Sequence, residues 1–191
     1  MSDIDWSLIW SATQDTLYIT FIASLFAYAT AIPLGIILVV TRKGGIYQCR
    51  PANIVLGTAV NVTRSIPFLL LMIFVIPLTR FLVGTAIGST AVIVPLTLAA
   101  VPFIARLIEN ALLELDNGLI EAAKSMGASR FKIIYKIYLP ECLPSIILTA
   151  GVALVSILSF SAMAGFLGGG GLGQVAFDFG YARFDNALLF V

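Results

Sequence analysis

The chain has 191 residues, of which 60% are hydrophobic and 11% are charged, with a net charge of +1 and no histidine. A soluble domain carries about 25% charged residues, so this composition excludes a water-soluble globular protein and indicates one embedded in a membrane. The near-zero charge excludes a nucleic-acid binder that works through a basic face. The lack of histidine excludes histidine-based catalysis and histidine metal ligation.

The N-terminus contains no lysine or arginine before the first apolar run. A cleavable signal peptide needs a positively charged start, so we interpret residues 1–12 as an external N-terminal segment. Trp6 and Trp10 in this segment are typical of anchors at a membrane interface. Residues 13–191 are then predicted to form one membrane domain.

Four apolar runs are long enough to cross a hydrocarbon core of about 30 Å. They are predicted, in chain order, at Leu17–Val40, Ile54–Leu78, Ser89–Ala105 and Leu143–Phe166. Gly84 and Gly88 indicate a turn before the third span. The predicted fold class is an all-α membrane protein, a polytopic helical bundle.

One proline and one arginine fall inside these predicted spans. Pro144 falls in the predicted first turn of the fourth span, where its missing N–H costs little. Arg64 falls near the start of the second span, within snorkelling reach of the interface. We interpret Arg64 as an anchor at that interface, with a role in gating or partner contact as the alternative.

The distribution of positive charge predicts the orientation. The loop after the first span contains three Lys or Arg residues and the segment between the third and fourth spans contains five, whereas the opposite side contains only Arg80 and Arg183. Positively charged loops stay in the cytoplasm. The N-terminus is therefore predicted to lie outside.

The stretch GFLGGGGLGQ, residues 165–174, contains the pattern G-x-G-x-x-G of a phosphate-binding loop. That pattern binds phosphate when it follows a strand and opens a helix, but here it follows an apolar helical span and lacks the P-loop lysine. We predict that its glycines serve close backbone packing or a gate. Ser161, Gly165 and Gly169 recur at the four-residue spacing of a close helix–helix contact.

The predicted cytoplasmic segment, about 106–141, contains a polar stretch that we name the EAA segment, residues 117–140, NGLIEAAKSMGASRFKIIYKIYLP. A short helix is predicted from Glu121 to Gly127, which is a suitable C-terminal residue. Ser129 can cap a second helix, which Pro140 would end. We expect its apolar residues to share one face: Phe131, Ile134, Tyr135 and Tyr138. Such a segment folds back on the spans or docks into a partner.

The EAA segment resembles the EAA motif of ABC importer permeases. That motif reads E-A-A, three residues, G, nine residues, I, one residue, L-P, and every position is matched in this chain by Glu121, Ala122, Ala123, Gly127, Ile137, Leu139 and Pro140. Three further stretches resemble the methionine-uptake branch of these permeases: RSIPF (64–68), VPFIARLIENALLEL (101–115) and SAMAGFLGGGGLG (161–173). The resemblance extends from about Thr13 onward.

The resemblance implies the partners and the site residues. It implies a non-enzymatic transport subunit of the bacterial cytoplasmic (inner) membrane, paired with a second copy of itself in the lipid bilayer. The seven EAA residues would dock into two ATPase subunits, which would hold ATP and Mg²⁺, while this chain would bind no cofactor. An extracytoplasmic methionine-binding protein would deliver the substrate. The family has five spans, so a fifth is expected to begin at 186–191 in a C-terminally incomplete chain.

The residues also bear on energetics and on the pathway. No carboxylate falls inside a predicted span, whereas a proton-driven carrier usually needs titratable groups there. The energy for transport would then be supplied through contact with a partner protein.

Phe160, Ser161 and Met163 offer aromatic, hydroxyl and thioether groups suited to a methionine pathway, and ordinary packing is the competing interpretation. The external run at 177–184, FDFGYARF, is interpreted as an interfacial aromatic belt or a landing site for the binding protein.

Three alternatives remain open at this stage. In the first, the substrate would be another amino acid or a small solute, because the EAA motif concerns energy coupling and not the transported substrate. In the second, the chain would be a gradient-driven carrier or channel whose ion site forms where helices break, at Pro33, Pro67, Pro95 or Pro102. A membrane-embedded enzyme is the weakest alternative, since no catalytic cluster is present.

Overall fold

The computed structural model describes residues 6–183, which form helices joined by short turns, with no strand in this range. The helices are α1 (Trp6–Thr41), α2 (Arg50–Ser65), α3 (Phe68–Val83), α4 (Ser89–Leu113), α5 (Asn117–Ser125), α6 (Arg130–Ile133), α7 (Leu139–Gly165) and α8 (Gly171–Val175). Two π-helical turns, Ile134–Tyr138 and Ala176–Tyr181, follow α6 and α8.

Three helical segments are long and apolar enough to cross a membrane: α1, α4 and the continuous run Arg130–Gly165. The predicted class, an all-α membrane protein, is confirmed. The first helix begins at Trp6, so residues 6–12 form its opening turns, and their external position stays a prediction. Residues 1–5 of that predicted segment, and the predicted fifth span at 186–191, lie outside the described residues.

The second predicted span, Ile54–Leu78, is wrong as one helix. It is divided between α2 and α3, which meet at a sharp bend around Ile66 and Pro67. Pro67 has an extended backbone (φ −56°, ψ 136°), and α2 ends before it because proline lacks the N–H of a helical bond and its ring clashes with the preceding turn. Together the two helices are long and apolar enough for a broken span or a re-entrant loop. Arg64 therefore lies in the last turn of α2 rather than inside a continuous span.

Most other prolines do not break helices. Pro33 lies inside α1, and Pro95 and Pro102 lie inside α4. Pro140 does not end the second helix of the EAA segment, and Pro144 is not in the first turn of a span. One helical run continues instead through the first π-helical turn into α7. A local change to π-type hydrogen bonding satisfies backbone groups that proline would leave unpaired.

The third span and its preceding turn agree better with prediction. Gly84 caps α3 in the left-handed conformation (φ 83°) and Gly88 also has positive φ (102°). The helix that follows starts at Ser89 as predicted but continues to Leu113. Arg106 and the residues after it therefore belong to the helix and not to a loop.

The chain divides into two compact units, which we describe separately. The first contains Met1–Ala27, Ile66–Ala100 and Leu154–Val191, and the second contains Tyr28–Ser65 and Val101–Ala153. Ile19, Leu96 and Ile157 are fully buried in the first unit, as are Leu38, Ile104, Ile108, Leu112 and Ile133 in the second. In the second unit a Cβ on Gly35 would lie 2.8 Å from the Ile108 side chain, so glycine allows α1 and α4 to approach closely.

Candidate functional site

Local capping shapes the EAA segment. Asp116 accepts a hydrogen bond from the Gly118 backbone N–H at 2.9 Å and so starts α5, four residues before the predicted Glu121. Gly127 follows the helix with φ 77°, and a Cβ there would meet no atom within 4 Å. Glycine is therefore needed for its left-handed backbone and not for space. Ser129 accepts from the Lys132 N–H at 3.3 Å, which confirms it as the cap of α6.

Helix α5 presents three different faces. Ile120 and Ala123 are buried, at 7% and 2% exposure, and pack inside the second unit. Asn117, Glu121 and Lys124 line a cavity. The third face is exposed and contains Leu119, Ala122 and Met126, with Met126 at 81% exposure. The E-A-A residues thus point in three directions, and the small side chain of Ala123 serves the chain's own packing.

The predicted apolar face after Ser129 is wrong. Phe131 and Tyr135 are exposed and their rings stack at 6.4 Å, whereas Tyr138 is buried at 4% exposure. The π-helical turn explains the change, because hydrogen bonds between residues five apart place such residues on one face. Ile133 and Tyr138 are five apart and both buried. Of the remaining motif residues, Ile137 and Leu139 are half-buried and Pro140 is exposed.

A polar contact that the sequence did not predict joins α4 to α2. The Arg106 guanidinium donates from Nη1 to the Glu109 carboxylate, and from Nη2 to the Gly57 carbonyl at 3.1 Å and Asn61 Oδ1 at 3.0 Å. The two charged side chains are only 22% and 11% exposed. Glu109 lies in the part of α4 that continues past Ala105, where the third span was predicted to end, so the expectation that no carboxylate falls inside a span stays a prediction. The i, i+3 spacing of opposite charges was the available signal.

Arg64 stands at the end of the same helix α2. It is exposed, and its Cζ lies 6.0 Å from the centre of the Phe103 ring. That distance is at the outer limit of a cation–π contact. Its roles as an interfacial anchor or a gating residue stay predictions.

The glycine-rich stretch packs the end of α7 against α8 in the first unit. A Cβ on Gly165 would lie 2.3 Å from the Gln174 backbone N, and one on Gly173 would lie 2.2 Å from the Ala162 carbonyl. Gly165 therefore makes the close helix contact that its spacing predicted. Gly169 lies in the loop between the helices, against Ala164.

Four amides of this stretch donate hydrogen bonds within the chain. The N–H of Gly168 donates to Gly165, that of Gly169 to Ala164, and that of Gly170 to the Gln174 side chain. The Leu172 N–H donates to Thr16 Oγ1 at 2.9 Å. A phosphate-binding loop needs free amides that converge on the ligand, so the geometry supports packing.

The three candidate pathway residues have different environments. Phe160 stacks on Phe68, with ring centres 5.0 Å apart and an interplanar angle of 13°. Ser161 is buried and donates to the Leu158 carbonyl at 2.8 Å. Met163 is 43% exposed. Of the three, Met163 is the most exposed and Phe160 is half-buried, and their pathway role stays a prediction.

The predicted external aromatic run is described as far as Arg183, and Phe184 lies outside the described residues. Phe177 meets Phe166 edge to face, and the Arg183 Cζ lies 4.4 Å from the centre of the Phe179 ring. Asp178 and Asp15 line a small cavity of about 200 Å³. These contacts distinguish neither an interfacial belt nor a landing site. In the described range, no cluster of cysteine and carboxylate side chains is arranged to hold a metal.

Comparison with known proteins identifies the family. A family model described as "Binding-protein-dependent transport system inner membrane component" matches residues 31–190. The chain belongs to this family. It is a multi-pass inner membrane protein, and its resemblance to ABC importer permeases is confirmed.

Individual relatives cover most of the chain. It is 52% identical over 184 residues to a probable D-methionine transport system permease protein MetI of Vibrio cholerae, covering 96% of this chain and 82% of the relative. It is 44% identical over 160 residues to the D-methionine transport system permease protein MetI of Escherichia coli K12, covering 84% of this chain and 73% of the relative.

Solved structures give the same result. An inward-facing structure of the MetNI methionine ABC transporter matches with a TM-score of 0.95 and 42% identity, covering 100% of this chain and 90% of the other. A structure of an amino acid ABC transporter matches with a TM-score of 0.74 and 21% identity, covering 93% and 80%. The second match shows the shared fold alone.

Proposed function

We propose that this chain is the permease subunit of an ATP-driven ABC importer for methionine, and that two copies form the membrane pathway. The observation that carries the proposal is its likeness to the MetNI methionine transporter over its whole length, at 42% identity and a TM-score of 0.95. Relatives named as D-methionine permeases, at up to 52% identity, support the same substrate.

Energy would enter through the exposed face of α5. ATP and Mg²⁺ would bind to two separate ATPase subunits, and this chain would contribute Leu119, Ala122 and Met126 to the contact. Met126 and Leu119 are 81% and 44% exposed, and apolar side chains exposed on a polar segment are typical of an interaction site. Glu121, on the opposite side of α5, would contribute to orienting the contact through its charge.

A movement of α5 can be transmitted to the spans of the second unit. Only three residues separate the end of α4 at Leu113 from the start of α5 at Asn117, so a shift of α5 pulls directly on α4. The hydrogen bonds from Arg106 to Gly57 and Asn61 then connect α4 to α2. Partner subunits that contact α5 differently in two states would thereby favour two arrangements of the spans, as alternating access requires.

Co-purification of the ATPase tests this proposal. The full chain is purified from its native membrane in mild detergent, together with the variants Gly127→Val and Gly127→Asn. Valine is strained at φ 77°, whereas asparagine tolerates a left-handed backbone. We expect the ATPase with the wild type and with Gly127→Asn, and at least a tenfold loss with Gly127→Val. The proposal fails if no ATPase accompanies the wild type, or if both variants retain it equally.

A further inference from the structure

A second cavity in the second unit carries excess positive charge. Its volume is about 300 Å³, and it is lined by the loop after α1, by one face of α5 and by Tyr138. Three cationic side chains, Arg42, Lys43 and Lys124, line it with a single carboxylate, Glu121. Among the described residues the only ion pair is Arg106–Glu109, so none of these three cations forms a salt bridge within the described part of the chain.

The loop that carries Arg42 and Lys43 has a defined fold. The Tyr47 N–H donates to the Val40 carbonyl at 2.9 Å, and the Cys49 N–H donates to the Thr41 carbonyl at 3.0 Å. A Cβ on Gly45 would lie 2.3 Å from the Val40 carbonyl oxygen, so only glycine allows this return of the chain. The two cations are therefore held at the cavity by a folded loop and not by a free surface segment.

The position of the cavity points to the membrane surface. Arg42 and Lys43 are the first charged residues after the charge-free run 16–41, which lies in the candidate span α1. Lipid phosphates lie just outside the hydrocarbon region where a span ends. Buried Ile46, Ile120 and Tyr138 add apolar surface beneath the charges, which suits an amphiphilic ligand.

We propose that this cavity binds a phosphate group, with the head group of an anionic phospholipid as its source. Arg42, Lys43 and Lys124 would neutralise the phosphate, and the Asn117 amide would be available to hydrogen-bond it. Because Asn117, Glu121 and Lys124 belong to α5, a bound lipid would contact the same helix whose opposite side is exposed. Lipid composition would thereby bias the position of α5. This site does not depend on which solute is transported.

Lipid binding to the purified complex tests the proposal. A short-chain fluorescent phosphatidylglycerol is titrated and followed by anisotropy, with phosphatidylcholine of the same chain length as the comparison. The variant Lys43→Gln/Lys124→Gln is matched by Lys132→Gln/Lys136→Gln, which removes the same charge from residues that do not line this cavity. We expect about twenty-five-fold weaker phosphatidylglycerol binding for the first pair, since each lysine near an anionic surface contributes about fivefold, and little change for the second.

Removing the negative charge in the cavity provides a second test, because it should change lipid affinity in the opposite direction. Glu121→Gln removes the only carboxylate among the lining residues and should tighten phosphatidylglycerol binding about fivefold, whereas Glu114→Gln should not. Only lipid affinity is compared, because Glu121 is also a candidate coupling residue.

Competition with inorganic phosphate distinguishes a phospholipid head group from free phosphate as the source of the bound phosphate group. Preference for phosphatidylglycerol over phosphatidylcholine, with little displacement by phosphate, supports a lipid site. Ready displacement by phosphate without lipid preference keeps the phosphate chemistry but overturns the lipid source. Equal losses in the two lysine pairs, or no effect of Glu121→Gln, would overturn the cavity as a specific site.

Discussion

Gly165 and Gly173 show most directly how single residues limit this fold. At each, an added Cβ would lie within 2.3 Å of a backbone atom, and backbone cannot move aside as a side chain can. Gly151 is a matched control in the same helix α7, because a Cβ there would meet no atom within 4 Å.

We predict opposite effects of alanine at these sites. Gly165→Ala should destabilise the folded complex by at least about 1–3 kcal/mol, as overpacking does. Gly151→Ala should leave the stability unchanged or raise it by up to about 1 kcal/mol, because alanine favours helix. Thermal unfolding of the purified complex measures both. Similar unfolding temperatures for the two variants would show that the α7–α8 contact is loose.

Met126 is the residue that we expect to contribute most to the partner contact. Its side chain is 81% exposed, so Met126→Asp should leave the free energy of unfolding of this chain unchanged. Inserting a charge into a desolvated contact should weaken ATPase binding by about 2 kcal/mol or more, as at interface hot spots. Met126→Leu, which preserves an apolar side chain, is the control. Binding of the purified ATPase to both variants measures the effect, and equal affinities would place the contact elsewhere.

At the scale of elements, the contact between α2 and α4 depends on a partly buried charge pair. Removing either Arg106 or Glu109 alone leaves the other charge without its partner in a poorly solvated position. We predict that Arg106→Gln and Glu109→Gln each destabilise the protein by about 3 kcal/mol, the lower end of the range for a broken buried pair. The double variant should be less destabilised than the sum of the two.

A double-mutant cycle of unfolding free energies measures this coupling. Asn61→Ala serves as a smaller perturbation, since it removes one hydrogen bond and leaves both charges. Additive effects of Arg106→Gln and Glu109→Gln would show that the pair contributes no coupling between these positions. In that case Glu109 would not be needed to hold Arg106 in its contact with Gly57 and Asn61 of α2.

Elements whose ends depend on local chemistry could be predicted from the sequence. Gly127 and Ser129 behave as predicted because a left-handed cap and a hydroxyl cap need only their nearest neighbours. The sequence could not show in this way that a helix ends at Pro67 whereas one continues through Pro140 and Pro144. Whether a proline ends a helix depends on whether nearby π-type bonding and packing satisfy the freed groups, and these are tertiary properties.

The π-helical turn is the clearest case of this limit. It places Ile133 and Tyr138 on one buried face, whereas a regular helical period had grouped Phe131, Tyr135 and Tyr138. Helical periodicity assumes one constant twist, so a single widened turn misplaces every later residue. Part of the EAA segment could therefore be predicted as helical, but its exposed surface could not.

At the scale of the whole molecule, composition and one spaced motif were sufficient for the class and the family. The high apolar content fixed the membrane class, and the EAA spacing pointed to the permease family that residues 31–190 match. The residues that line the transport pathway could not be predicted in this way. Phe160 and Ser161 pack within the first unit, and which residues face a solute depends on contacts between copies.

ATP-dependent uptake tests the central claim most directly. The full chain, its ATPase and the binding protein are reconstituted in liposomes, and labelled methionine is supplied on the receptor side. The account predicts accumulation that requires ATP hydrolysis and the loaded binding protein, that persists with a protonophore, and that is lost with Gly127→Val. Uptake that proceeds without ATP and collapses with the protonophore would contradict it and identify a gradient-driven carrier.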